Sequence, residues 1–277
     1  MPCCMHLKAY PPGEKLKSVI KRHCIYEVQF EKDQFHIQPI LPLVVPTLEF
    51  LYGDQFKTVR YSDSKAEKVP YHGVLGPITQ RKIYLEMTGN IGVLCTEFYP
   101  AAFYSVFKVP MNELTDLSVA GDVILGKQIH EVSARILEAE SDYERIVIVE
   151  KFVSAHLEVA HKPSVVDAAL NEMHHYKGLC SVHLLSKHLN ISERHLENSF
   201  KKQVGVTPKL YNRILRFNRI FALLQNGARE KSWHDIMHEC GYYDQSHFIR
   251  DFKFFTGTTP AQYFAKPTDF EKFFLGS

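Results

Sequence analysis

The feature that most constrains this 277-residue chain is an internal repeat. Shifted by 52 residues, Gly257-Thr258-Thr259-Pro260 falls on Gly205-Val206-Thr207-Pro208, Phe252 on Phe200, Phe248 on Leu196 and Asp244 on Ser192. Each copy carries the same local instructions. Ser192 and Asp244 are N-caps, whose side-chain oxygens accept from the free N–H groups of a first helical turn. Ile191 and Tyr243 precede them at the spacing of a hydrophobic staple to Leu196 and Phe248. Gly205 and Gly257 supply the left-handed residue that stops a helix, and Thr-Pro starts the next, with Thr as cap and Pro at its first position.

Ahead of each capped helix lies a shorter one, Val182 to Leu189 and Trp233 to Cys240, joined by Asn190-Ile191 and Gly241-Tyr242-Tyr243, where Asn and Gly tolerate positive φ. Short helix, tight turn and capped helix make the helix-turn-helix pattern. Its second helix gives one stripe to the core and can present the other to the DNA major groove. The outer stripe of the first copy is Arg194, Asn198 and Lys201, with Glu197 beside it; the second offers Gln245, Ser246, Arg250 and Lys253. Arg suits guanine and Asn or Gln suits adenine, each bidentately, whereas Lys more often meets phosphate. Between the copies, Pro208 to Gln225 reads as one helix with Leu210, Ile214, Phe217, Phe221 and Leu224 on a stripe, and Arg213, Arg216 and Arg219 add positive charge. Such a rod spans about 27 Å, near the roughly 34 Å between successive major-groove segments on one face of a duplex.

These residues, ending in CGYYDQSHFIRDFKFFTGTTPAQYF, resemble the AraC/XylS family of bacterial transcription regulators over about Ser164 to Ala265, from a leading helix SVVDAALNEMHHY onward. The resemblance implies base-facing roles for Arg194, Glu197, Asn198, Gln245, Ser246 and Arg250. It also implies a promoter-binding activator that works beside RNA polymerase. Two residues depart from the family pattern: Met237 stands where Ala is usual, and Phe254 where Lys or Arg is common. The first implies altered packing in the second unit, the second a lost phosphate contact.

The N-terminal part reads as β-rich to about Tyr99. In RKIYLEM, Ile83, Leu85 and Met87 alternate, as do Ile91, Val93 and Cys95 in IGVLCTEFY, the pattern of half-buried strands, and prolines and glycines punctuate the region. After FYPAAFYSVF two helices are expected, Asp122 to Ala139 and Asp142 to Val159, the second opened by a Ser141–Glu144 capping box. This hairpin is apolar on more than one face, enough to pack on the β domain and on a second subunit. Tyr10-Pro11-Pro12, LEFLYGDQF and GVLGPITQRK are similar to an uncharacterised sensory domain that precedes the module in some family members; that similarity implies effector binding or dimerisation.

The expected architecture is therefore α+β: residues 1–160 a β-rich effector or dimerisation domain with a helical hairpin, HKPS (His161 to Ser164) a linker, 164–265 the double helix-turn-helix, and 266–277 a tail. Net charge is +2 overall, but from Pro163 onward 15 Lys and Arg face 11 Asp and Glu, which places the basic excess in the helical half. No apolar run is long enough to span a membrane and no signal peptide opens the chain, so a cytoplasmic location is expected. The six cysteines show no disulfide or zinc spacing and read as reduced and mostly buried, with Cys3-Cys4 an incidental terminal pair.

No metal or cofactor is expected. His174, His175, His188 and His195 match no metal-site spacing, and His36 and His72 stand alone where a cupin enzyme would need an H-x-H with later Glu and His. Neither a G-x-S-x-G elbow nor a phosphate-binding glycine loop nor H-E-x-x-H is present, so an enzyme is not expected. The expected function is a sequence-specific, effector-responsive DNA-binding regulator. The alternative is a small-molecule-binding, cupin-like protein or an enzyme whose helical end serves protein contacts; that end would then carry an apolar outer stripe.

Overall fold

The computed structural model describes residues 4–30, 36–60, 66–79, 83–157, 164–225 and 232–264. Most of the expected linker, the 266–277 tail and Cys3 lie outside them. The fold is α+β, as expected.

Among the described residues, ten strands come from the N-terminal half: β1 (Cys4–Tyr10), β2 (Ile20–Gln29), β3 (His36–Pro39), β4 (Thr47–Leu51), β5 (Lys57–Arg60), β6 (Ala66–Lys68), β7 (His72–Leu75), β8 (Ile83–Met87), β9 (Asn90–Phe98) and β10 (Ser118–Ala120). They form two antiparallel sheets, ordered β1-β2-β9-β4-β7-β10 and β3-β8-β5-β6. Because side chains alternate along a strand, β2 sends Cys24, Tyr26 and Val28 into a core shared with Met87 of the smaller sheet, and Ile25 to the opposite face, where Phe50, Leu94 and Phe98 meet helices. The larger sheet is thus sandwiched. Ile91, Val93 and Cys95 alternate as expected, but β9 is buried on both faces rather than half-buried, since the helices cover its other side.

Those helices are α1 (Ala102–Phe107), α2 (Gly121–Leu125), α3 (Gln128–Glu138) and α4 (Asp142–His156). The expected single helix Asp122 to Ala139 is broken: Gly126, at φ 80°, ends α2 and lets the chain restart as α3. On α4, both Val149 and Ile148 are buried, so its second apolar face is covered by the chain itself.

The C-terminal half is helical: α5 (Val165–His175), α6 (Val182–His188), α7 (Glu193–Val204), α8 (Pro208–Gln225), α9 (Trp233–Glu239), α10 (Gln245–Thr256) and α11 (Pro260–Phe264). Phe200, Phe217, Phe252 and Phe255 are fully buried in one core around α8, which Leu41, Val44 and Ala101 of the N-terminal half also join.

Candidate nucleic-acid interface

The two capped helices form with their expected bounds, because the signals that start and stop them are local. Ser192 Oγ accepts from the His195 N–H at 3.1 Å, and Asp244 Oδ1 from the His247 N–H at 2.7 Å. Gly205 and Gly257 end α7 and α10 in the left-handed region, at φ 87° and 76°. Thr207 and Thr259 then cap α8 and α11 ahead of Pro208 and Pro260.

The staples differ between the copies. Ile191 packs on the core of the first unit, but Tyr243 is 94% exposed, and Tyr242, 3% exposed, takes the inner place with its ring 5.3 Å from that of Phe248. Left-handed Asn190 is followed by one residue before the cap, whereas left-handed Gly241 is followed by two, so the inward position moves back by one. The extra residue, Tyr243, stands in solvent beside the start of α10.

Arg194, Glu197, Asn198 and Lys201 on α7, and Gln245, Ser246, Arg250 and Lys253 on α10, are all exposed. Their helices bury the opposite stripe: Leu196, Phe200 and Val204 on one, Phe248, Phe252 and Phe255 on the other. Both polar stripes therefore belong to surfaces held rigidly from beneath.

The rod α8 is an unbroken helix of 18 residues. Its arginines are tied within the domain. The Arg213 guanidinium donates to Asp251 Oδ1 at 2.8 Å and lies 4.5 Å from the Phe254 ring centre, Arg216 donates to the Gly178 carbonyl, and Arg219 donates to the Glu239 carbonyl at 2.7 Å. Phe254, at the position that departs from the family pattern, is thus a platform for Arg213. Asp251, only 4% exposed, was not singled out from sequence; its place opposite an arginine of α8 appears only when the helices pack. Met237 is buried in the second unit, and Trp233 opens α9 against Phe248 and Phe264.

The N-terminal half reaches the first unit. Thr115 Oγ1 donates to the Gly205 carbonyl at 2.7 Å, and the Lys202 ammonium lies over the Tyr104 ring. A Cβ on Gly205 would stand 2.9 Å from the Met111 carbonyl oxygen, so this glycine is required by close approach as well as by its φ.

Two histidines of the helical half find partners within it: His174 Nε2 is 2.8 Å from Tyr211 Oη, and His188 pairs with Glu172. His72, read as isolated, is not. Its Nε2 lies 3.0 Å from His130 Nδ1, and Asp122 completes a potential metal-ligating group that no sequence spacing signalled. Inside the N-terminal half, Arg22 grips Glu97 through two bonds of 2.8 and 2.9 Å. Burial pushes the Cys24 thiol up to about 12 and the Glu49 carboxyl up to about 7. Cys24, Cys95, Cys180 and Cys240 are free thiols, and burial raises all four away from the reactive thiolate. Among the described residues no helix is long and apolar enough to cross a membrane.

Residues 185–266 match a family described as a helix-turn-helix domain, and residues 8–120 match the domain of unknown function DUF6597. Over 96 residues the chain is 36% identical to the uncharacterized HTH-type transcriptional regulator YbfI of Bacillus subtilis (strain 168), which covers 35% of this chain and 33% of that protein. The chain therefore spans about one third of the length of the curated relative it matches. It also shares 15% identity with ToxT from Vibrio cholerae O395, at a TM-score of 0.48 over 89% of this chain and 97% of that one. The corresponding values for the AraC-like transcriptional activator CuxR are 14% and 0.29 over 79% and 87%. The chain thus carries a helix-turn-helix domain similar to that of an HTH-type transcriptional regulator, set behind an N-terminal domain of the DUF6597 type.

Proposed function

We propose that this protein is a sequence-specific DNA-binding transcription regulator that inserts α7 and α10 into successive major-groove segments of a promoter. The observation that carries the reading is the pairing of two exposed polar stripes on helices whose other faces are buried on one continuous rod. Arg194, Glu197, Asn198, Gln245, Ser246 and Arg250 read bases, while Lys201 and Lys253 meet phosphates and supply much of the affinity. The alternative reading required an apolar outer stripe, and these side chains are charged, amide or hydroxyl.

On the same proposal, residues 1–160 receive a small-molecule effector and 164–265 bind the DNA, within the cytoplasm. Activation through RNA polymerase and pairing of two copies over exposed Leu137 and Tyr143 of the helical hairpin complete the scheme. The half-buried Glu49 carboxyl and the buried Arg22–Glu97 pair give the polar groups for which an effector would compete.

The test is selection from random DNA. Arg250→Ala is expected to cost about 1 to 3 kcal/mol at the preferred site and to relax one base position, while Lys201→Ala weakens all sequences alike and lowers the salt slope by about one. An unchanged base preference for Arg250→Ala contradicts the assignment of α10.

A further inference from the structure

Three side chains far apart in sequence meet where β7, α2 and α3 converge: His72 opens β7, Asp122 lies in the first turn of α2, and His130 stands on the first turn of α3. The two imidazoles meet edge to face, their planes at 76°, with His72 Nε2 and His130 Nδ1 separated by 3.0 Å. Asp122 Oδ2 is 3.8 Å from His130 Nε2, and one ligand atom from each of the three residues falls within 4.8 Å of the others.

An N–H···N hydrogen bond joins the two rings, and Asp122 reaches His130 only at the long distance of 3.8 Å. An ion accounts for all three. Two nitrogens bound at about 2.0–2.1 Å to one tetrahedral ion stand roughly 3.3 Å apart, so a few tenths of an ångström of movement converts the present pair into ligands. His72 is only 7% exposed, so its ring is fixed by the surrounding packing. On the other side the site is open: the His130 and Asp122 side chains are 56% and 35% exposed, which leaves room for solvent to complete the coordination. Two imidazoles and one carboxylate suit a borderline ion such as Zn2+ or Co2+ rather than Mg2+ or Ca2+, which prefer all-oxygen shells.

We propose that His72, Asp122 and His130 form a binding site for a divalent first-row transition-metal ion, with water in the remaining position. The ion ties α2 and α3 to the edge of the larger sheet, where β7 pairs with β10. Its occupancy therefore adds to the stability of the N-terminal domain. The site lies outside the helix-turn-helix, so its failure and the failure of the DNA-binding reading are separable.

The experiment titrates the full chain, without a histidine tag and stripped by chelator, with Co2+. The d–d absorption of four-coordinate cobalt reports the site, Zn2+ competes for it, and thermal unfolding is followed in parallel. Because His130 is exposed, His130→Ala keeps the fold; it is expected to lose at least about 100-fold in affinity together with the metal-induced thermal shift, whereas Asp122→Asn loses about 10-fold or more. His175→Ala, remote and exposed, is expected to titrate like the parent chain. The proposal is overturned if the parent chain shows no four-coordinate spectrum with micromolar cobalt, or if His130→Ala binds as the parent does; either result leaves the pair as a hydrogen bond between two imidazoles.

Discussion

In the first helix-turn-helix unit, the glycine that ends the recognition helix is pressed against the N-terminal half, with a Thr115 hydroxyl on its carbonyl and the Met111 carbonyl where a Cβ would go. In the second unit the equivalent Gly257 has nothing within reach of a Cβ among the described residues. The second unit is fastened instead from beneath, by the Arg213–Asp251 pair and the Arg219 bonds to Glu239. Two copies with the same caps and stops are thus anchored in different ways. Local signals repeat because they act within one turn, whereas anchoring depends on what each copy meets. A displacement of the 111–115 segment would be felt first at the carboxyl end of α7, and only through the rod at α10.

The largest effect that separates the two units is expected at the glycines. Ala at position 257 pays a left-handed cost of about 1 to 2 kcal/mol, and Ala at 205 adds about 1 to 3 kcal/mol for crowding the Met111 carbonyl. Denaturant unfolding of Gly205→Ala and Gly257→Ala measures the difference, and equal losses would break the comparison. Next in size, Arg213→Ala leaves Asp251 buried without its guanidinium. Since Arg213 is itself partly exposed, about 2 to 3 kcal/mol is expected rather than the full 3 to 5 of a wholly buried pair. Hydrogen exchange should quicken in α10 and leave α7 unchanged. The smallest is Thr115→Val, about 1 kcal/mol for one hydrogen bond; its exchange signature is the reverse, faster at the end of α7 and silent at α10. A uniform response in either variant would mean that the two units open together.

Much of the helical half was legible because capping and stopping are short-range chemistry. Ser192, Asp244, Gly205 and Gly257 specify α7 and α10 almost without reference to the rest of the chain. The break at Gly126 was also written in the sequence, but a helical apolar pattern on both sides of it outweighed a single glycine. The staple at Tyr243 was misplaced because one residue more after the left-handed turn shifts the inward position to Tyr242. The arginines of α8 looked like free positive charge; whether a guanidinium faces solvent or a neighbouring carbonyl depends on elements 20 to 38 residues away. No spacing rule brings His72, Asp122 and His130 together, since their meeting follows from the pairing of β7 with β10 and the turn into α3.

The amino-acid order by itself determined the duplicated helix-turn-helix, its bounds, the polar character of its outer stripes and the mixed α+β composition, all consequences of hydrogen bonds and periodicities that span a few residues. The tertiary structure alone decided that the larger sheet is covered on both faces, which arginines are consumed in holding the units, and which unit touches the N-terminal half. Those outcomes depend on contacts between segments far apart in the chain, where burial and close approach, rather than local preference, select the partner.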